Sequence, residues 1–167
     1  MASKTSSDAS PREAPRRDPS MRPWIAIART YFLCDALMAR RLGALDVRTA
    51  EHEVLVNLQR DPGIAQQTLA RRIFTAKSHV SVLLTGLEDR GWVRREADPA
   101  DARARKLFLT AAGARMVRRT SKVQDEVAAA MAATVSATAL ADMTAALDCI
   151  GRRLQALLDS PDRARAA

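Results

Sequence analysis

Three features of the sequence predict a mainly α-helical fold: apolar residues at helical spacing over most of residues 23–160, a hard break at Asp61-Pro62-Gly63, and one short basic β-ribbon set between helices. Taken in order, these elements make a winged helix-turn-helix flanked by N- and C-terminal dimerisation helices. A chain of 167 residues has room for one such domain. We place it at 23–160, with a central lobe at about 47–110, between a disordered basic tail at 1–22 and a flexible C-terminus at 161–167. The tail carries Pro11, Pro15 and Pro19 among Ser, Arg and acidic residues, too little apolar surface to offset the entropy of ordering.

The first helix begins near Trp24, where Ala28, Tyr31, Phe32, Ala36, Met38 and Leu42 recur at helical spacing, and ends near Gly43 to Leu45. A second spans Thr49 to Arg60, with Val54, Leu55 and Leu58 on one side, and stops at Asp61-Pro62-Gly63. A short helix from Gln66 to Arg72, a break over Ile73 to Ala76 and a longer helix from Lys77 to Arg90 make a helix-turn-helix. Gly91 ends it. Trp92 to Ala97 and Arg105 to Leu109 then read as two strands around a polar loop, Asp98 to Ala104. Thr110 caps a helix running to about Thr134, and Ser136 caps the last one. In the last helix Leu140, Met143, Leu147, Ile150, Leu154 and Leu157 alternate three and four residues apart, the spacing of a seam that needs a partner, so we expect a homodimer.

Charge narrows the function classes. Against 19 Asp+Glu stand 27 Lys+Arg, a formal net charge of +8, which favours a polyanionic partner. No apolar run reaches the length of a membrane span, and no membrane partner is expected. The two cysteines, Cys34 and Cys149, lie far apart in apolar helical patterns, unlike a disulfide framework; both read as buried structural cysteines of a cytoplasmic protein.

The string Leu87-Glu88-Asp89-Arg90-Gly91-Trp92-Val93-Arg94-Arg95, then Asp98-Pro99-Ala100-Asp101-Ala102-Arg103, then Leu107-Phe108-Leu109-Thr110 and Gly113, resembles the signature of the MarR family of bacterial regulators. The likeness covers about Trp24 to Leu158. It implies a homodimer that binds double-stranded DNA, a transcriptional repressor released from a pseudo-palindromic operator by a small aromatic or phenolic inducer. On the recognition helix, Lys77, Ser78, His79 and Ser81 are the candidates to meet bases and phosphates, with Arg72 beside them. In the wing, Arg103 matches the family arginine that enters the minor groove, Asp101 the aspartate that orients it, and Arg95 and Arg105 add charge. Two positions depart from the family pattern: Val82 stands where a polar or basic residue is usual, and Ala102 replaces the first arginine of the wing. Trp24, Arg29, Tyr31 and His52 are candidates for the inducer pocket.

Catalytic, metal and cofactor sites are not expected. His52-Glu53 begins like the zinc-protease motif, but Val56 stands where the second histidine belongs. Two other readings stay open: a winged helix that grips an acidic protein or binds DNA without regard to sequence, and a regulator switched by oxidation of Cys34.

Overall fold

The computed structural model describes residues 19–98 and 101–160, excepting the side chains of 101–104. The terminal segments expected to be disordered therefore lie almost wholly outside the described residues. The order is α1 (Met21–Gly43), α2 (Thr49–Arg60), β1 (Ile64–Ala65), α3 (Gln66–Arg72), α4 (Lys77–Asp89), β2 (Val93–Asp98), β3 (Asp101–Leu109), α5 (Ala111–Ala132) and α6 (Ala137–Asp159).

Helices α2 and α3 have the limits that periodicity predicts. At the start of α2, the backbone N–H of Arg48 donates to Glu51 Oε2 at 2.8 Å, satisfying a group that the helix itself leaves unpaired. At its end, Gly63 adopts φ +85° and donates its N–H to Leu107 O at 2.8 Å, so the turn runs straight into β1. Strand β1 was not expected: two residues are too short to show alternation. It pairs antiparallel with β3, Ile64 opposite Leu107, giving the sheet order β1-β3-β2.

The wing is longer than expected. Asp101 to Ala104, assigned to a loop by their polarity, belong to β3, and pairing runs from Val93↔Leu109 out to Asp98↔Asp101 with a register shift between Ala97 and Asp98. The residues at these positions show no alternation of large apolar with polar side chains in the sequence, so the segment reads as a turn.

Val54, Leu55 and Leu58 of α2, Leu69 of α3, Val80, Leu83, Leu84 and Leu87 of α4, Ile64, Val93 and Leu107 of the sheet, and Val117 of α5 form one buried cluster. Each such side chain contributes about 1.5–3 kcal/mol by leaving water. The helix-turn-helix is thereby held from behind by α2 and from the side by the sheet.

The junction of α4, wing and α5 is the most constrained part of the backbone. Gly91, at φ +68°, donates its N–H to Glu88 O at 2.8 Å, and Trp92 donates to Leu87 O at 2.9 Å, the paired bonds of a Schellman motif. Thr110 N–H donates to Trp92 O at 3.0 Å, and its hydroxyl donates to Gly91 O at 2.6 Å while accepting from Gly113 N–H at 3.1 Å as the N-cap of α5. A Cβ on Gly113 would lie 2.0 Å from Trp92 O.

The chain divides into two units between Cys34 and Asp35. On the α1 segment before that boundary, Trp24, Ile25, Tyr31, Phe32 and Leu33 are exposed, with Tyr31 and Phe32 edge to face at 5.7 Å. In the second unit α6 has no buried residue, and Met143, Leu147, Ile150, Leu154 and Leu157 lie open. Cys34 is half-buried and Cys149 exposed, which corrects the expectation of two buried cysteines; the seam around Cys149 is uncovered in a single chain. Among the described residues no single helix is long and apolar enough to cross a membrane.

Gly113→Ala should destabilise the protein by about 2–3 kcal/mol, because the added methyl meets backbone rather than a side chain able to turn away. Urea unfolding checks this; a loss below about 0.5 kcal/mol would show that the junction relaxes freely.

Candidate nucleic-acid interface

Helix α4 has two unlike faces. Val80, Leu83, Leu84 and Leu87 are buried, while Lys77, Ser78 and His79 at its N-terminus are exposed and Ser81 is half-buried. The preceding turn sets the helix angle: Thr75 N–H donates to Ala70 O at 3.1 Å and its hydroxyl to Ile73 O at 2.9 Å. Between them Phe74 sits at φ +49° and is 80% exposed. That conformation costs a bulky L-residue about 1 kcal/mol, and burial does not offset it.

The predicted basic residues fall into separate environments. Arg72 Nη2 donates to Asp61 Oδ2 at 2.8 Å, tying the end of α3 to the α2–β1 turn. Arg95 is turned back onto α4: its Nη2 donates to Ser81 O at 3.3 Å and Thr85 Oγ1 at 3.4 Å, and Nε lies 3.1 Å from Glu88 Oε2, a charge contact rather than a directed hydrogen bond. Arg105 is exposed opposite Ala97 on the ribbon. The side chains of Asp101 and Arg103 lie outside the described residues. On the same ribbon Arg94 pairs with Glu96 and stacks over Phe108 at 4.6 Å, and Lys106 Nζ lies 3.3 Å from Asp98 Oδ1. Structure thus brings Lys77, Ser78, His79 and Ser81 together on α4, with Arg95 binding the wing to that helix.

Sequence reasoning missed Arg90. Its guanidinium stacks over Trp92 at 3.8 Å, donates to Asp46 O at 2.6 Å and Asp46 Oδ2 at 3.0 Å, and lies 3.5 Å from Glu51 Oε2. Glu51 also accepts from Arg48 Nη2 at 2.7 Å. Burial pushes the Glu51 carboxyl up, but hydrogen bonds from the Arg48 side chain and backbone, with the Arg48 and Arg90 charges, outweigh it and leave its pKa lowered. Asp46, at φ +54°, makes the α1–α2 turn that delivers its carbonyl to Arg90. Only proximity in space reveals this link between the start of α2 and the end of α4.

Of the candidate pocket residues, Trp24, Arg29 and Tyr31 are exposed on α1. His52 is buried on α2, with Nε2 3.1 Å from Gln124 Oε1 and Nδ1 without a hydrogen-bond partner among the described residues. Burial lowers its pKa, and the Gln124 hydrogen bond opposes this only in part. Next to it, burial and then the Asp35 charge raise the pKa of Glu53. A shallow cleft of about 480 Å³ opens elsewhere, lined by Gln67, Arg71, Phe74, Lys77, Leu158 and Asp159 among others; none of the four candidates lines it. Among the described residues no group of His, Cys, Asp or Glu is arranged to hold a metal ion.

A helix-turn-helix with a two-stranded wing packed behind its second helix defines a winged-helix protein. The chain matches the sequence model of the MarR family over residues 45–104, from the start of the lobe into the wing. It is 34% identical over 82 residues to the transcriptional regulator HosA of Escherichia coli O111:H-, a match spanning 49% of this chain and 61% of that protein's length. The fold is shared with the Staphylococcus aureus MepR–DNA complex (TM-score 0.71, 22% identity, 77% of this chain and 96% of that one). It is shared too with CouR from Rhodococcus jostii RHA1 bound to p-coumaroyl-CoA (TM-score 0.72, 22% identity, 80% and 94%).

The buried neutral His52 has a consequence for stability. Its folded pKa lies below the ordinary 6.5, so its contribution is fully present above that value and is lost as pH falls toward the lowered one. His52→Gln should lose less stability than the parent between about pH 7.5 and about pH 5.5, by at most about 1.4 kcal/mol per pH unit within the titration window. Parallel pH-dependences in urea unfolding would show that His52 titrates as an exposed group.

Proposed function

We propose that this protein is a homodimeric, sequence-specific DNA-binding transcriptional regulator, a repressor released from a pseudo-palindromic operator by a small ligand. The observation that carries this reading is the division of α4. Its apolar rear is locked into the lobe, and Lys77, Ser78 and His79 stand open on the leading end without an ion pair to a described residue. A helix held this way can enter a major groove with its N-terminal residues against base edges. In this reading the ribbon beside it follows the flanking minor groove, with Arg103 as the groove-inserting cation and Asp101 as that cation's orienting partner. Arg95 and Arg72 act in this scheme mainly as positioning residues, given their intramolecular partners, while Lys77 and Arg105 supply phosphate contacts. The bare α6 seam supports dimerisation, which would set two recognition helices about 34–36 Å apart.

For the ligand, the likeness in fold to CouR, solved with p-coumaroyl-CoA, supports an effector that carries an aromatic group. Such a molecule acts by binding better to a dimer whose lobes are wrongly spaced for DNA.

Binding to fragmented DNA of the source organism at physiological salt with excess competitor, followed by footprinting, tests the reading. A protected inverted repeat is expected; only sequence-blind, salt-sensitive binding would refute it. On the protected site Lys77→Ala should reduce the slope of log K against log salt by about 2, as when one phosphate in each half-site is no longer neutralised. Arg103→Ala should weaken binding by about 1–3 kcal/mol at physiological salt, and an unchanged affinity would remove the wing from the scheme. Leu147→Glu with Leu154→Glu should give monomers by light scattering that have lost operator affinity; a persisting dimer would place the interface elsewhere.

A further inference from the structure

The outward face of α4 has an apolar centre. Positions 78, 82, 85 and 89 follow one another along the helix at four- and three-residue intervals, opposite the buried Val80, Leu84 and Leu87. On that face Val82 is 71% exposed, whereas the other large apolar residues of α4 are buried. Valine is a poor choice for an exposed helical site, because its branched Cβ loses rotamer freedom against the preceding turn and its isopropyl group stays in water. Fold stability therefore does not account for it.

The neighbouring polar groups sharpen the point. Thr85 Oγ1 donates to Ser81 O at 3.1 Å and accepts from Arg95 at 3.4 Å, and the Ser81 carbonyl accepts from Arg95 as well. The hydroxyl one turn beyond Val82 is thus already engaged inside the protein, and an isopropyl group occupies the middle of the face. Within a major groove, the apolar feature that base edges present is the C5-methyl of thymine; the remaining edge atoms are hydrogen-bond donors and acceptors. A valine at this place can make apolar contact with a thymine methyl and offers no hydrogen bond to the donors and acceptors of any base.

We propose that Val82 is a specificity-determining residue that recognises a thymine methyl group in each operator half-site by apolar contact. This rests on the DNA-binding reading and adds to it the chemical group that the centre of the recognition helix selects.

The test uses the full-length protein and the operator found by footprinting. Each thymine of the half-site is replaced in turn, symmetrically, by deoxyuridine, which removes the methyl and keeps every hydrogen-bonding group. At one position the parent should bind about tenfold more weakly, the size expected when a buried methyl group is taken from each of two half-sites. Val82→Ala should bind the methylated operator correspondingly more weakly and be indifferent to deoxyuridine at that position, while Val82→Ile should keep the sensitivity. Circular dichroism and light scattering establish that the variants are folded and dimeric, as expected for changes at an exposed site. If Val82→Ala remains as sensitive to deoxyuridine as the parent at every position, or if no position responds, Val82 reads no methyl group and the proposal falls although specific binding stands. If no protected site exists, the DNA-binding reading fails and takes this one with it.

Discussion

The contact on which the lobe depends is the approach of the first turn of α5 to the backbone of Trp92. There the recognition helix ends, the wing begins, and the chain returns from the wing into α5. Gly91 must adopt φ +68° to reverse the chain, and Gly113 must lack a Cβ to let α5 come within reach of Trp92 O. Thr110 joins the two by donating to Gly91 O and capping α5. Direction of the wing relative to α4 is therefore set first by backbone hydrogen bonds and two glycines, and the ribbon's own Arg95 adds side-chain contacts to α4.

Charged groups reinforce the same junction from opposite sides. Arg90 reaches across to Asp46 and Glu51 at the α1–α2 turn and the first turn of α2, while Arg95 reaches back to Ser81, Thr85 and Glu88 on α4. Exposed ion pairs contribute little by themselves. These act differently: Glu51 is buried, so removing either arginine partner leaves a carboxylate partly uncompensated, and Arg95 donates to a carbonyl of α4. Arg90 and Arg95 are thereby committed to geometry. The cations left for a polyanion are those, such as Lys77, with no internal partner among the described residues.

The parts of this structure that were legible in the sequence are those where one local signal decides. Asp61-Pro62-Gly63 stops α2, Gly91 stops α4, and Thr110 and Ser136 cap α5 and α6 as read. What was not legible depends on space. Strand β1 exists because Gly63 and Ile64 meet β3, and no two-residue pattern announces that. Arg95 and Lys77 are equivalent cations in a sequence, yet one is enclosed by α4 and the other is open. Phe74 gives no sign that it occupies a left-handed turn, since glycine or asparagine is the usual marker there. Cys149 read as core because a heptad seam looks the same whether its partner lies within the chain or in a second copy.

A lobe tied together in this way constrains how a ligand can control it. With α4, the wing and the start of α5 held by a shared junction, tilting the recognition helix alone would break the Schellman bonds, the Thr110 cap and the Arg95 contacts together. Each bond is worth only about 1 kcal/mol, but they fail as a set. Differential affinity for a ligand is more readily stored where the structure is least committed, which is in the helices outside the lobe, because α6 buries nothing within its own chain. On the proposed reading, control then works by changing the distance between two intact lobes, and the bases that each lobe reads stay the same in the bound and released states.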